Sequence, residues 1–304
     1  MIIIRGNVFF LTRSEESLLN QLGTFISGAD QLLKDCTYEL PGPIDEVTMT
    51  VILLYRKLLE RIDAVFSNIE HATENAALSI TRDAFENYLY LLYIHECDTK
   101  NRALAYYIQT RLIEQKTLLN KFHSRYKNSS MIKDTLQAKY THQEIDDFCK
   151  KLDNRLQSPG LLHLTKERKR VENLLRKKGL PPYANWYSLY NGPRNIKELA
   201  VRLKKQVEYD IIYHILSIVT HSLNAFNALR IQNDLAFIQE LRTYNNPNFP
   251  LGMSLAMLVQ ATQTFIESLF PHKITEFQKI ALSVLEDDTF VMLYQKVMND
   301  DSLV

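Results

Sequence analysis

Apolar residues recur every three to four positions along most of this chain of 304 residues, which is the spacing of amphipathic helices. The pattern runs from Ser14 to Leu33 and is clearest after Asp45, whose carboxylate is placed to cap a helix. That helix has apolar positions at Val51, Leu54, Leu58, Ile62, Val65 and Ile69. The next helix, predicted over about Glu74–Glu96, is apolar on most of its circumference, which is typical of the centre of a bundle.

The remaining chain predicts more helices of the same kind. They cover about Lys100–Arg125, a short helix after Thr141-x-x-Glu144, Thr165–Lys178, a short helix after Asn195-x-x-Glu198, Val207–Arg230, and about three helices beyond the loop Asn245–Pro250. No alternating strand pattern stands out. The sequence therefore predicts an all-α fold, a bundle of roughly ten helices without significant β-sheet.

Breaks in the pattern predict three parts. Residues 1–43 form an N-terminal helical extension that ends at Pro41-Gly42-Pro43. Residues 44–232 form a helical core domain with a polar pocket, and residues 233–304 form a C-terminal helical segment packed on that core.

Composition changes this picture little. The 8 glycines and 9 prolines leave long uninterrupted stretches, and three cysteines far apart favour a reducing cytoplasm over a disulfide framework. The most apolar run, Leu251–Phe270, contains Gln260, Gln263 and Glu267, so we interpret it as a core helix and expect no membrane partner. Walker A and GxGxxG motifs are absent, and no cofactor is expected.

The net charge of +1 hides a strong asymmetry. Residues 101–205 contain 23 Lys and Arg but 9 Asp and Glu, a local charge of +14, and the rest of the chain carries −13. Such separation is typical of a surface that binds an anion such as RNA or a nucleotide. It also fits binding to acidic parts of the same chain or of a second copy in a homodimer.

One polar stripe interrupts an apolar helix. Tyr213, Ser217 and His221 recur every fourth residue and therefore share one helical face. His221 is a candidate general acid or base, because an imidazole titrates near neutral pH. The alternative is a buried histidine that completes a structural network, and Ser217 in mid-helix is a poor candidate nucleophile.

Arg82 and Glu86 lie one turn apart on the predicted central helix. In the functional interpretation Arg82 holds an anion and Glu86 is a base or a ligand contact. In the structural interpretation the two form a salt bridge that joins helices. The candidate catalytic residues are therefore Glu86, His221 and Arg82.

Candidate ligand-binding residues lie in the basic part of the chain. Lys166, Arg168, Lys169 and Arg170 could follow phosphates, or be the solvated face of a surface helix. Trp186, with Tyr183, Tyr187 and Tyr190, could stack on a base, and Trp186 could close over a small ligand; the alternative is that this aromatic group packs a loop onto helices. His214 and His221 are seven residues apart, but no histidine follows a glutamate at Glu-x-x-His spacing, so no metal site is predicted.

Four segments together resemble an uncharacterised, mainly bacterial, all-helical family known only as a domain of unknown function. They are Ala76–Glu86, Trp186-Tyr187, Ile196–Ala200 and the Tyr213-x3-Ser217-x3-His221 ladder, and the resemblance covers roughly residues 45–230. It implies that Arg82, Glu86, Trp186, Tyr213, Ser217 and His221 converge in one pocket.

The family in turn resembles HEPN domains, helical modules of toxin–antitoxin and phage-defence systems, many of which cleave RNA. Their Arg-x4–6-His motif is missing here, since seven residues separate Arg155 from His163. The polar stripe and the basic segment, taken with this resemblance, predict a cytoplasmic helical effector that acts on RNA or another phosphate-bearing ligand, with a protein partner encoded nearby. The alternative is a non-catalytic helical interaction module whose polar residues form a structural network.

Overall fold

The computed structural model describes residues 11–117, 119, 142–220, 225–232, 235–238 and 240–285, with the backbone alone at 142, 214–220, 225, 227, 230, 232, 235 and 237. Ten α-helices fill most of this part of the chain, and they confirm the all-α prediction. Their bounds are α1 Arg13–Tyr38, α2 Glu46–Glu70, α3 Glu74–Glu96, α4 Thr99–Tyr107, α5 His142–Leu156, α6 Leu162–Lys177, α7 Ile196–Arg202, α8 Gln206–Thr220, α9 Asn248–Leu269 and α10 Ile274–Leu285.

Side-chain caps fix the starts of several helices. At α1, Thr12 Oγ1 accepts from Glu15 N at 3.3 Å, and Glu15 Oε2 accepts from Thr12 N at 2.7 Å, a complete capping box. At α2, Asp45 Oδ1 accepts from the backbone N–H groups of Val47 at 2.8 Å and Thr48 at 3.0 Å, which confirms the predicted cap. Thr141, in the other predicted capping box, lies outside the described residues.

The predicted C-terminal end of the helix Val207–Arg230 is wrong. Leu229–Gln232 forms strand β1, which pairs antiparallel with β2, Leu235–Ile238. Apolar and polar residues alternate from Leu229 to Gln232, which is strand periodicity, and the turn-forming pair Asn233-Asp234 follows in the sequence. Helical periodicity therefore ends before β1, and the described part of α8 ends at Thr220.

Contacts divide the chain into two compact units. The first comprises the described residues within Met1–Ile44, Val51–His95 and Leu203–Val304, and the second comprises those within Asp45–Thr50 and Glu96–Arg202. Each unit is assembled from separate stretches of sequence. The three-part division with boundaries at 43 and 232 stays a prediction.

In the first unit, α1 packs on α9 and α10, which also pack on each other. The rings of Tyr55 and Phe265 stack at 4.3 Å, and the Tyr55 hydroxyl lies 2.8 Å from Thr262 Oγ1. By length and composition α9 could cross a membrane, with a mean hydropathy of 1.2, but 61% of that window is buried. A core helix has the same composition, so α9 fits the predicted core position.

In the second unit, α4 continues into a π-helical segment, Ile108–Ile113, against which α5 packs. A short 3₁₀ segment, Trp186–Asn191, packs on both α4 and α6. This arrangement leaves one side of α6 facing solvent and places the aromatic segment beside it.

Candidate functional site

The candidate site of the first unit starts with two charged residues on α3. Arg82 and Glu86 are one turn apart, so their side chains lie on the same side of the helix. Arg82 Nε is 4.0 Å from Glu86 Oε1, and the side chains are 23% and 34% exposed. This distance is the outer limit of an ion pair, so the carboxylate leaves much of the guanidinium unsatisfied.

Tyr213 on α8 joins these two residues. Its hydroxyl donates a hydrogen bond to Glu86 Oε1, and the Arg82 Cζ atom lies 4.5 Å from the centre of its ring. Tyr209, one turn earlier on α8, stacks on Tyr213 with ring centres 4.3 Å apart and planes 22° apart. The result is a layered cluster of Tyr209, Tyr213 and Arg82, with Glu86 at its edge; we call it the α3–α8 cluster.

The electrostatics of the α3–α8 cluster keep its phenols protonated. Burial, then the hydrogen bond to the Glu86 carboxylate and its charge, raise the pKa of Tyr213 well above its usual range, and Arg82 opposes only part of that shift. Burial and the nearby carboxylate of Asp210 raise the pKa of Tyr209, again against the effect of Arg82. Tyr213 therefore acts as a hydrogen-bond donor to Glu86 and not as a base.

A second group of polar residues continues along the same two helices. Tyr88 on α3 donates to Gln260 Oε1 of α9, and Lys205 Nζ lies 5.9 Å from the Tyr88 ring and 3.0 Å from Glu208 Oε1. Tyr209 and Tyr213 lie one turn apart on one face of α8, and Lys205 lies just before the first residue of that helix.

The rest of the ladder is described only in part. The backbone of Ser217 lies in α8, two turns beyond Tyr209 and on the same helical face, but its side chain is outside the described residues. His221 lies outside the described residues altogether. The structure thus brings together Arg82, Glu86 and Tyr213, and the placement of Ser217 and His221 in the same pocket stays a prediction.

The predicted basic residues of α6 belong to the second unit, and the structure separates them by environment. Arg168 is buried, donates from Nε to Glu172 Oε1 at 2.9 Å and from Nη1 to Gln109 Oε1, and lies 5.9 Å from the Tyr183 ring. Arg170 is half exposed and forms two hydrogen bonds with Glu167. Lys166 and Lys169 are exposed.

Trp186 also belongs to the second unit. It is 5% exposed, and its ring meets Tyr106 edge-on at 5.3 Å and Tyr187 edge-on at 5.5 Å. This buried environment fits the interpretation that Trp186 packs a loop onto helices better than the interpretation that its ring is open to stack on a base. Its role toward a ligand stays a prediction.

Sequence reasoning missed two participants. Tyr209 lies four residues before Tyr213, so the spacing that defined the ladder could have included it. Gln109 was missed because no local pattern links it to Arg168, 59 residues away. Among the described residues no group of three or more His, Cys, Asp or Glu side chains is placed to hold a metal ion.

Comparison with known proteins identifies the family. The family of unknown function DUF5677 matches residues 48–235, close to the range of 45–230 expected from the sequence. No curated protein and no solved structure matches the chain. The matched range contains α3 and α8, and therefore every residue of the α3–α8 cluster. The chain belongs to the DUF5677 family.

Proposed function

We propose that this protein is a cytoplasmic helical effector that acts on RNA or another phosphate-bearing ligand at the α3–α8 cluster. The observation that carries the proposal is the state of Arg82. Its guanidinium is stacked on Tyr213 at 4.5 Å, and its closest described carboxylate is 4.0 Å away. A partly exposed arginine held in this way can present its planar edge to a phosphate group.

Among the described residues, Arg82 has the Tyr213 hydroxyl within hydrogen-bond reach and the Glu86 carboxylate at 4.0 Å, which leaves its other N–H donors without a described partner. A guanidinium has five N–H donors, and contact with an aromatic face leaves donors in the plane of the group free to bind oxygen. The stack with Tyr209 holds the Tyr213 ring in place in turn. Bidentate binding of a phosphate by Arg82 is therefore the contact that this geometry favours.

Glu86 and His221 have the acid–base roles in this proposal. Tyr213 occupies Glu86 Oε1, so among the described residues Oε2 carries no hydrogen bond. His221 follows Tyr213 by two turns in the ladder, and its role rests on that spacing. Glu86 then fixes the tautomer of His221 or acts as a second acid or base.

A role in bacterial phage defence or in a toxin–antitoxin pair rests on the resemblance to HEPN modules. The proposal of a protein partner encoded nearby rests on the same resemblance, and the proposal of a homodimer rests on the charge asymmetry of the chain.

Binding and cleavage of a 5′-phosphorylated, fluorescein-labelled RNA of about 20 nucleotides test the proposal. Arg82→Gln should weaken binding about tenfold or more, as expected for the loss of a charge-assisted hydrogen bond. Glu86→Gln and His221→Ala should abolish product on a gel while the protein stays folded. Arg56→Gln is the matched control, because Arg56 is 51% exposed and 3.6 Å from Glu60. Full activity in all three site variants would reject the proposal.

A second function, a non-catalytic interaction module, is supported by the hydrogen bond between Tyr213 and Glu86. That bond joins α3 to α8, which a purely structural network also requires. In this case His221→Ala should lower the melting temperature, and a pull-down of the partner should fail only under conditions that unfold the variant.

A further inference from the structure

We infer that the second unit binds single-stranded RNA on a surface formed by the solvent-facing side of α6 and Tyr190, with phosphates along the helix and a base stacked on the tyrosine. This inference rests on the proposed function, because it assigns the same substrate class to a second surface. We call it the α6–Tyr190 surface.

The solvent-facing side of α6 carries a stripe of four polar side chains, three of them cationic. Lys166, Arg170, Asn173 and Lys177 follow each other at i, i+4, i+7 and i+11, so they share one helical face, and all four are exposed. Among the described residues, Lys166 and Lys177 form no hydrogen bond or ion pair. The stripe is about 16 Å long at the rise of an α-helix, enough to follow several phosphates of an extended strand.

One carboxylate connects this stripe to Tyr190. Glu167 accepts from Arg170 Nε at 2.7 Å and Nη2 at 2.8 Å, and it also accepts from the backbone N–H of Tyr190 at 2.8 Å. The backbone of Tyr190 is therefore tied to the edge of α6 that carries Arg170. Glu167 therefore joins the Arg170 guanidinium to the backbone of Tyr190.

Tyr190 is held in an unusual conformation with its ring exposed. Its φ of 54° and ψ of 43° are left-handed, a region that a bulky side chain rarely adopts and that costs of order 1 kcal/mol or more. The neighbouring residues Trp186, Tyr187 and Leu189 are buried, but Tyr190 is 52% exposed. The backbone turns out of the aromatic packing at the residue whose ring faces solvent.

Proteins that bind single-stranded nucleic acids combine a positively charged surface with aromatic rings on which the bases stack. Stacking on a base needs an unpaired base, which a duplex does not offer, and lysines contact the backbone whatever the sequence. The local charge of residues 101–205, +14, has the sign this partner requires. Of the aromatic residues expected to stack, Trp186 and Tyr187 are buried, whereas Tyr183 and Tyr190 are exposed, and the backbone of Tyr190 is tied to α6 through Glu167.

The test measures fluorescence anisotropy of a uridine-rich RNA of about 20 nucleotides against salt concentration. Tyr190→Asn, which tolerates the left-handed backbone but lacks a ring, should bind about tenfold more weakly, whereas Tyr190→Phe should bind like the unmodified protein. Lys166→Gln with Lys177→Gln should reduce the slope of log affinity against log salt by about 1.4. Lys34→Gln with Lys279→Gln, the same charge change on α1 and α10, should leave the slope unchanged.

The outcomes separate this inference from the proposed function. If the unmodified protein binds RNA but Tyr190→Asn and the α6 double variant bind equally well, the α6–Tyr190 surface is rejected and the proposed function stands. If the unmodified protein binds no RNA, this inference fails, and the proposed function keeps only its other phosphate-bearing ligands. A duplex of the same length that binds as tightly as the single strand and is equally weakened by Tyr190→Asn would also overturn the stacking role.

Discussion

Arg82 and Arg168 are both candidate ligand contacts in the sequence, yet the structure gives them opposite environments. Arg168 is buried and bound by Glu172 at 2.9 Å and by Gln109. Arg82 is 23% exposed, lies over the Tyr213 ring and has its closest described carboxylate at 4.0 Å. An arginine with satisfied donors stabilises a fold, and one with free donors remains available to an anion. The comparison therefore predicts a structural role for Arg168 and, under the proposed function, a ligand-binding role for Arg82.

Replacing Arg168 should have the largest effect on stability. Arg168→Met leaves Glu172 and Gln109 without their partner, and breaking a buried pair costs roughly 3 kcal/mol. Urea denaturation measures this loss. Arg170→Met, whose side chain is 49% exposed, is the control and should cost less than about 1 kcal/mol. Equal losses in the two variants would mean that Arg168 is not the structural arginine.

His95 is a third case beside the two arginines, because it is largely buried and lacks a hydrogen-bond partner among the described residues. In the part of the chain that the structure describes, neither ring nitrogen of His95 has a hydrogen-bond partner, and burial lowers the pKa of His95 from 6.5 to about 4. The unfolded chain therefore takes up a proton near pH 6.5 that the folded protein accepts only near pH 4. The free energy of unfolding should be highest above pH 6.5 and fall by roughly 3 kcal/mol as the pH drops to 4.

His95→Leu removes this titration, so its unfolding free energy should vary less between pH 7 and pH 4. Chemical denaturation at several pH values compares the two proteins. Parallel pH profiles would show that another group causes the acid sensitivity.

Tyr213→Phe should have a smaller effect. The change removes the hydrogen bond to Glu86 but keeps the stack with Tyr209 and Arg82, so we expect a loss of about 1 kcal/mol in unfolding free energy. Thermal melts measure it. A loss as large as that of Arg168→Met would place the α3–α8 cluster among the structural networks and favour the interaction-module function.

Arg82→Gln should have the smallest effect on stability. A pair at 4.0 Å between partly exposed groups contributes about 0.5 kcal/mol. A fall in melting temperature of several degrees would show that Arg82, like Arg168, contributes substantially to stability. Denaturation of Arg82→Gln and Arg168→Met under the same conditions makes this comparison direct.

Local periodicity was enough to predict the helices and one edge of the site. Apolar spacing located α3 at Glu74–Glu96, and the four-residue spacing of Arg82 and Glu86 placed both on one face. The environment of Arg168 could not be predicted, because its partner Gln109 is 59 residues away and depends on how α4 and its π-helical continuation pack. The hairpin was missed because its strands are four residues each, too short to outweigh the helical pattern before them.

The solvent exposure of the aromatic side chains also could not be predicted from the sequence. Trp186 and Tyr190 belong to one aromatic segment, and the sequence does not distinguish the buried ring from the exposed one. A left-handed residue at position 190 makes that difference, and a tyrosine gives no sign of that conformation in the sequence.

The most direct test of the central claim is how tightly the Arg82→Gln variant binds 5′-phosphorylated RNA. The dissociation constants of the variant and of the unmodified protein are measured at a temperature where both are fully folded. We predict binding about tenfold weaker or more with a melting temperature changed by no more than a few degrees. Unchanged affinity, or a loss of affinity that only follows unfolding, would contradict the assignment of Arg82 to ligand binding.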